Sequence, residues 1–337
     1  MITGHTGFKG SWISLMLSLQ GHKVSGISLN PEKNSLFNKA KLNDIFEHDL
    51  RLDIRESQSI NKYVKKIQPE VIIHLAAQPL VRESYLKPLE TFEINLMGTL
   101  NILESSKFAN NLLATLVITT DKVYKNKNKL TGYIEADELG GWDPYSASKA
   151  AADLATQSWV KSFGTTPVAI ARSGNVIGGG DTAIDRLIPD LVRAIEKKQK
   201  AVIRYPNAIR PWQHVLDCLN GYMTLIEQMI STGLGGEWNF GPNVDEKHRV
   251  IDLIEKFSEK TGQNNQIWTI DENLQPHEAN YLLLNSEKAR KLLNWQEYLN
   301  FDLSIDWTAN WITSTESELS KMINQINLFM KLKNNLK

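Results

Sequence analysis

Tyr145 and Lys149 stand four residues apart in "DPYSASKAAADLA", a spacing that puts both side chains on one face of a helix. A lysine ammonium beside a phenol favours the phenolate, which makes Tyr145 a candidate general base near neutral pH. The same spacing also occurs in plain surface pairs, so a third group decides between the two readings. "VITTDKVY" ends a strand at Thr119 and Thr120, 25 residues before Tyr145, where a hydroxyl can hydrogen-bond the same substrate oxygen. Asp121 and Lys122 follow directly. Their plain reading is a structural ion pair at a strand end. Ligands of doubly wound sheets sit beyond the carboxyl ends of the strands, which favours the chemical reading of Tyr145, Lys149 and Thr120.

The chain opens "MITGHTGFKG", with Gly4, Gly7 and Gly10 at intervals of three. Such a turn lets the backbone approach a pyrophosphate and opens a helix that holds it. A glycine-rich terminus with no ligand is the plain alternative. The helix pattern that follows and the strand-like "HKVSGISL" complete a strand-helix-strand unit and favour the turn. Only Met1, Ile2 and Thr3 precede it, whereas a buried strand usually takes five or six residues. The first strand therefore reads as truncated. The second ends Ser28-Leu29-Asn30, with neither an acid for a ribose nor an Arg for a 2′-phosphate. Lys33 is the nearest cation, and the balance favours NAD over NADP.

The elements that must carry these groups follow from patterning. "HKVSGISL", "QPEVIIHLAA", "NLLATLVITT" and "TPVAIARSGNVIG" read as strands, separated by helical stretches such as "SWISLMLSLQ" and "FEINLMGTLNILESSK". That alternation predicts an α/β fold, a Rossmann-like doubly wound parallel sheet with a smaller C-terminal α/β substrate lobe. The sheet domain is expected over 1–174 with contributions from about 212–241, and the lobe over 175–211 and 242–314. A C-terminal helical tail, 315–337, has a Lys-rich end expected to fray. The 337 residues carry 38 Lys+Arg against 38 Asp+Glu, so nothing favours a nucleic-acid partner. The single cysteine, Cys218, excludes an internal disulfide and fits the reducing cytoplasm. No apolar run approaches the roughly 20 residues that span a bilayer, and no metal-ligand spacing is present.

The glycine spacing, "HLAA", "TTDKVY" and "YSASK" resemble the extended short-chain dehydrogenases/reductases that act on nucleotide sugars. "TGHTGFKGSW", "TTDKVYKN", "GNVIGGGD", "RPWQHVLD" and "HEANYLLL" narrow the resemblance, from Thr3 to about Trp311, to the CDP-glucose 4,6-dehydratases. The resemblance implies NAD as cofactor, CDP-glucose as substrate, and a homodimer or dimer of dimers built on helices near Phe92 to Lys107 and Tyr145 to Phe163. It implies several residues ahead of the glycine turn. It also implies that Gly4, Gly7, Phe8 and Gly10 meet the pyrophosphate, Asp53 and Ile54 the adenine, and Ala76 and Ala77 the dinucleotide backbone. Asp53 reads equally as a helix N-cap. Thr120, Tyr145 and Lys149 would bind the sugar C4 hydroxyl and the nicotinamide ribose, and Asn175, Arg210 and His277 the nucleotide diphosphate and sugar. His74 and His214 read as packed structural histidines.

The implied reaction oxidises sugar C4, eliminates water across C5 and C6, and returns the hydrogen to C6. In it Asp121 would protonate the departing C6 hydroxyl and Lys122 would take the C5 proton. Many dehydratases of other nucleotide sugars carry Glu where this chain has Lys122. Two departures from the pattern, Asp217-Cys218 after "HVL" and Asn285-Ser286-Glu287, lie away from the chemistry. Another NAD-dependent nucleotide-sugar 4,6-dehydratase, a 4-epimerase, or a catalytically impaired NAD-binding homologue remain the alternatives.

Overall fold

A computed structural model describes residues 1–164, 166–263, 267–271 and 281–335. Among the described residues, eleven strands run in chain order as β1 Ile2–Thr3, β2 Val24–Ser28, β3 Phe46–Arg51, β4 Val71–His74, β5 Ala114–Ile118, β6 Val168–Ser173, β7 Val176–Ile177, β8 Ala201–Ile203, β9 Gln213–His214, β10 Gly236–Phe240 and β11 Trp268–Ile270. Seven of them form one parallel sheet in the order β10-β6-β5-β4-β1-β2-β3. β5 (ATLVI) and β6 (VAIARS) are buried along their whole length, as strands covered on both faces must be. β1 lies inside the sheet, with Ile2 opposite both Gly26 of β2 and Ile73 of β4. β3 was not legible as a strand. Its sequence, FEHDLR, is charged and only partly buried, which is how an edge strand avoids pairing with another chain.

Helices cover both faces. One core joins Trp12, Ile13 and Met16 of the helix Phe8–Leu19 to Leu216, Leu219 and Met229 of the helix Val215–Thr232 across the sheet residues Ile2, Leu116 and Ala169. The opposite core gathers Ile27, Ile60, Val64, Ile72 and Ile102. A third core lies outside the sheet and contains Leu191, Ile203, Trp212, Phe257 and Ile305. Around it lie the two-stranded parallel pairs β7-β9 and β8-β11, and these elements are called the smaller lobe below. The helix Phe301–Thr313 joins the two regions, with Phe301 and Ile305 in the lobe core and Trp311 against Trp12, ring centroids 5.4 Å apart.

The tail is helical and packed ahead of its Lys-rich end, whose last two residues lie outside the described residues. The helix Glu318–Asn335 buries Met322, Ile326 and Phe329, a spacing of four and three that makes one continuous helical stripe.

The strand order reverses at β1, between β2 and β4, so the carboxyl ends there open a crevice. Gly4 follows β1, Ala76 follows β4, Thr120 follows β5 and Asn175 follows β6. The topology thus brings residues from four distant stretches of sequence to one edge of the sheet. Among the described residues, no helix is long and apolar enough to cross a membrane.

Candidate active site

The glycine turn is shaped by close backbone approach. Gly4 has a left-handed φ of +73°, natural only for glycine, and donates to Ile27 O at 2.8 Å. A Cβ there would stand 2.7 Å from Ala76 N. A Cβ on Gly10 would stand 2.1 Å from Gly4 O, whereas one on Gly7 would meet Gly4 O at 3.3 Å. The helix that starts at Phe8 has no side-chain cap and no acid in its first turn. Its leading N–H groups and positive dipole end therefore suit an anionic diphosphate, and the turn fits a dinucleotide. Ala76 N donates to Thr3 Oγ1 at 3.2 Å, tying the β4 loop to the same edge. Ala77 follows it in that loop.

Asp53 does not cap a helix. The N-cap of the helix Ser57–Ile67 is Glu56, and the Asp53 carboxylate instead accepts Arg55 Nη2 at 2.7 Å and Arg55 N at 2.9 Å. The Arg55 bonds hold the Asp53 carboxyl below the usual range against the opposing pull of burial. Ile54 beside it is buried against Gly98, where a Cβ would come within 2.4 Å of Ile54 Cδ1.

Beyond β5, Thr120 caps a short 3-10 turn, Asp121–Val123. Its hydroxyl donates to Asp121 Oδ1 at 2.9 Å, and Lys122 Nζ reaches the same oxygen at 3.4 Å. Asp121 is fully buried, and its Oδ2 has no hydrogen-bond partner among the described residues. Such an orphaned acceptor is costly unless something completes it.

Tyr145 and Lys149 are both buried on the helix Pro144–Phe163, which Asp143 caps. Burial raises the Tyr145 phenol above its ordinary value and the charge of Asp121 adds to this, while Lys122, Thr120 and Arg186 pull it down. The expected lowering of the phenol by Lys149 is therefore corrected. Lys149 Nζ donates to Ile118 O at 2.8 Å, and the cations that favour the phenolate are Lys122 and Arg186. Burial, then the like charge of Lys9, brings the Lys149 ammonium down to about 8.

Several residues unmarked in the sequence reading converge here. Lys9 is pushed down by burial and donates to Ser173 Oγ at 2.8 Å and Tyr222 OH at 3.1 Å. A lysine in the first turn of a helix opposes the dipole, and that local conflict was the available signal. Ser84 Oγ accepts the Tyr145 N–H at 3.1 Å. Asn95 accepts the N–H of Gln78 at 2.9 Å and donates to Ser148 Oγ at 2.9 Å, joining the β4 loop to the tyrosine helix.

Two buried networks hold the frame. Thr3 Oγ1, which accepts Ala76 N–H, contacts His74 Nδ1 at 2.7 Å, and His74 Nε2 contacts Thr99 Oγ1 at 3.0 Å. Burial, helped by Lys149, lowers His74 to about 3, so it is neutral. Arg172 and Asp153 form a fully buried pair at 2.7 Å, and Thr119 donates to the same carboxylate at 3.0 Å. Burial opposes the Arg172 cation, yet its bonds to Asp153 keep it above the ordinary value.

Of the expected substrate residues, Asn175 Oδ1 is buried with no partner among the described residues. Arg210 is buried and donates to Ile209 O at 2.9 Å. His277 lies outside the described residues. A cleft of about 300 Å³ at the rim of the smaller lobe is lined by Arg82, Asp185, Arg193, Arg204 and Asp271 among others. It shares no residue with the Thr120, Tyr145 and Lys149 group, which is buried apart from it. Among the described residues, no three His, Cys, Asp or Glu side chains gather as metal ligands.

Residues 1–307 match the family described as GDP-mannose 4,6 dehydratase. The chain is 42% identical over 305 residues to a CDP-glucose 4,6-dehydratase of Salmonella typhimurium, covering 87% of this chain and 84% of that protein. It is 26% identical to dTDP-glucose 4,6-dehydratase 1 of Escherichia coli, over 93% of this chain and 92% of that one. A UDP-glucose 4-epimerase from Bifidobacterium longum, solved with NAD+ and UDP, superposes with a TM-score of 0.82 at 20% identity, covering 93% of this chain and 98% of that one. A dTDP-glucose 4,6-dehydratase from Bacillus anthracis, solved with NAD, gives 0.78 at 21% identity, over 95% and 98%. At these identities the solved structures speak for the fold, which is the Rossmann-like parallel sheet expected from the sequence.

Proposed function

The chain belongs to the GDP-mannose 4,6 dehydratase family, and from that membership we propose that it is an NAD-dependent nucleotide-sugar 4,6-dehydratase, a lyase, whose substrate is CDP-glucose and whose product is CDP-4-keto-6-deoxyglucose plus water. The observation that carries the reading is Asp121 beside Lys122 and Tyr145, with one carboxylate oxygen buried and unpartnered. An epimerase needs no acid for a departing C6 hydroxyl. The 42% identity to the Salmonella enzyme supports CDP-glucose over other nucleotide sugars.

The chemistry that NAD would supply is a hydride acceptor for sugar C4 and, once reduced, a hydride donor to C6. Gly4, Gly7, Phe8 and Gly10 would hold its pyrophosphate, Ala76 and Ala77 its dinucleotide backbone, Asp53 and Ile54 the adenine, and Lys149 the nicotinamide ribose. Tyr145 removes the C4 hydroxyl proton, and the Thr120 hydroxyl orients that oxygen. The ketone formed at C4 acidifies the C5 proton, which Lys122 removes in its neutral amine form, having passed its own proton to Asp121, and returns to C5 when hydride reaches C6. Asp121, carrying the proton taken over from Lys122, delivers it to the C6 hydroxyl, which leaves as water. Asn175 and Arg210 take the sugar and diphosphate, the latter as a charge-assisted contact. His277 is assigned to the same set from the resemblance alone. The sheet domain is read as 1–174 with about 212–241, and the nucleotide-sugar lobe as 175–211 with 242–314. A homodimer or dimer of dimers in the cytoplasm, packed through the helices around Phe92 to Lys107 and Tyr145 to Phe163, completes the proposal.

Incubation of the protein and NAD with CDP-, dTDP-, UDP- and GDP-glucose separately, followed by mass spectrometry and NMR, tests it. The expected result is loss of one water from CDP-glucose before the others. An isomer of unchanged mass, or conversion of only another nucleotide sugar, overturns the respective part.

A further inference from the structure

One short helix, Val81–Leu86, leaves the loop after β4 and touches both halves of the crevice. Its Ser84 is fully buried, donates to Val81 O at 2.6 Å, and accepts the backbone N–H of Tyr145 at 3.1 Å. Two residues earlier, Arg82 donates to Asp185 Oδ1 of the smaller lobe at 3.1 Å. Asp185 has a left-handed φ of +57°, a conformation that Asp tolerates better than most residues. Next in the chain is Arg186, which caps the helix Leu187–Glu196 and is held by Asp181 at 2.9 Å. Arg186 is also an electrostatic neighbour of Tyr145 and Lys9.

We propose that Arg82 and Asp185 form a strut between sheet domain and lobe that fixes Arg186 against the tyrosine pocket, so that both act as positioning residues for the reaction. The segment from Asp181 to Arg186 is held by its own ion pair, by Arg193 on the carbonyls of Thr182 and Ala183 at 3.0 Å, and, from across the crevice, by Arg82. The Arg82 side chain is 46% exposed and that of Asp185 28%, and an ion pair at such exposure adds little stability. What it does add is direction. The same helix anchors the Tyr145 backbone through Ser84, so the strut registers the lobe against the tyrosine itself. A shift of about 1 Å in such a group can cost up to about a hundredfold in rate.

This inference rests on the dehydratase reading for its kinetic arm only. The variants are Arg82→Gln, Asp185→Asn, which keeps a residue suited to left-handed backbone, and the double variant. Each single change is expected to lower kcat for CDP-glucose by about 10- to 100-fold with Tm unchanged, and the double variant to be no worse than the poorer single. Amide hydrogen exchange on the ligand-free protein supplies the second arm. Exchange at the Tyr145 amide and across Leu187–Glu196 is expected to quicken in both singles. Losses that multiply in the double variant, or kcat within about twofold of the parent in both singles, overturn the strut. If the parent converts no nucleotide sugar, the dehydratase reading fails, and unchanged exchange in both segments then overturns the strut separately.

Discussion

Thr120 Oγ1 donates to Asp121 Oδ1 at 2.9 Å and leaves the other oxygen of that carboxylate buried, with no partner among the described residues. One oxygen is thus fixed by a hydrogen bond within the protein, and the other is not. If Asp121 delivers the proton to the C6 hydroxyl, Asp121→Asn should slow water loss by about 10²- to 10⁴-fold. C5 exchange should continue. NMR of CDP-glucose incubated in deuterated water measures both, and normal water loss would remove Asp121 from the acid role. Lys122→Met should do the opposite, stopping C5 exchange while a 4-keto sugar that retains its C6 oxygen accumulates.

Tyr145→Phe should leave Tm unchanged and lower turnover by about 10²- to 10⁴-fold. Phenylalanine keeps the ring's packing and cannot take the C4 proton. The contact between Ser84 and Tyr145 is through the backbone, so the substitution leaves it in place. A variant within about twofold of the parent would exclude Tyr145 as a general base.

The glycine turn gives a graded prediction. Gly10→Ala puts a methyl group 2.1 Å from Gly4 O, whereas Gly7→Ala meets the same atom at 3.3 Å. The first cannot be absorbed without moving the turn, and the second needs a shift of a few tenths of an ångström. Calorimetric titration should find NAD binding lost in Gly10→Ala and only weakened in Gly7→Ala. Equal binding by the two would contradict the close-approach account.

His74 and His214 set the acid limit of stability. Burial brings both to about 3, so each is neutral when folded and gains a proton on unfolding once the pH is below its ordinary value near 6.5. Their contribution is fully present above that value and is lost as pH falls toward 3. Unfolding free energy should drop by up to about 1.4 kcal/mol per pH unit for each histidine. His214 Nδ1 also accepts Leu216 N–H at the start of its helix. His214→Asn keeps a capping acceptor, and denaturant titrations across this range should show a slope shallower by up to about 1.4 kcal/mol per pH unit. An unchanged slope would contradict the assignment.

The sheet was legible because its strands are apolar throughout, and the turn because only glycine fits its spacing. Tyr145, Lys149 and Thr120 were legible by their intervals. The electrostatics were not. The Tyr145 phenol is displaced upward because burial outweighs its cations, and burial follows from tertiary packing. Arg186 comes to Tyr145 from another region of the fold, with no local pattern to announce it. Lys9 was visible as a lysine in the glycine turn, but its bonds to Ser173 and Tyr222 join residues far apart in sequence. β3 was missed because its charged edge lacks the apolar run that marked the interior strands.

The most direct measurement follows one atom. CDP-glucose deuterated at C4, converted by the protein with NAD in ordinary water, should yield CDP-4-keto-6-deoxyglucose that has lost one water and carries the deuterium at C6. An isomer of unchanged mass with deuterium still at C4 would mark an epimerase and contradict the account.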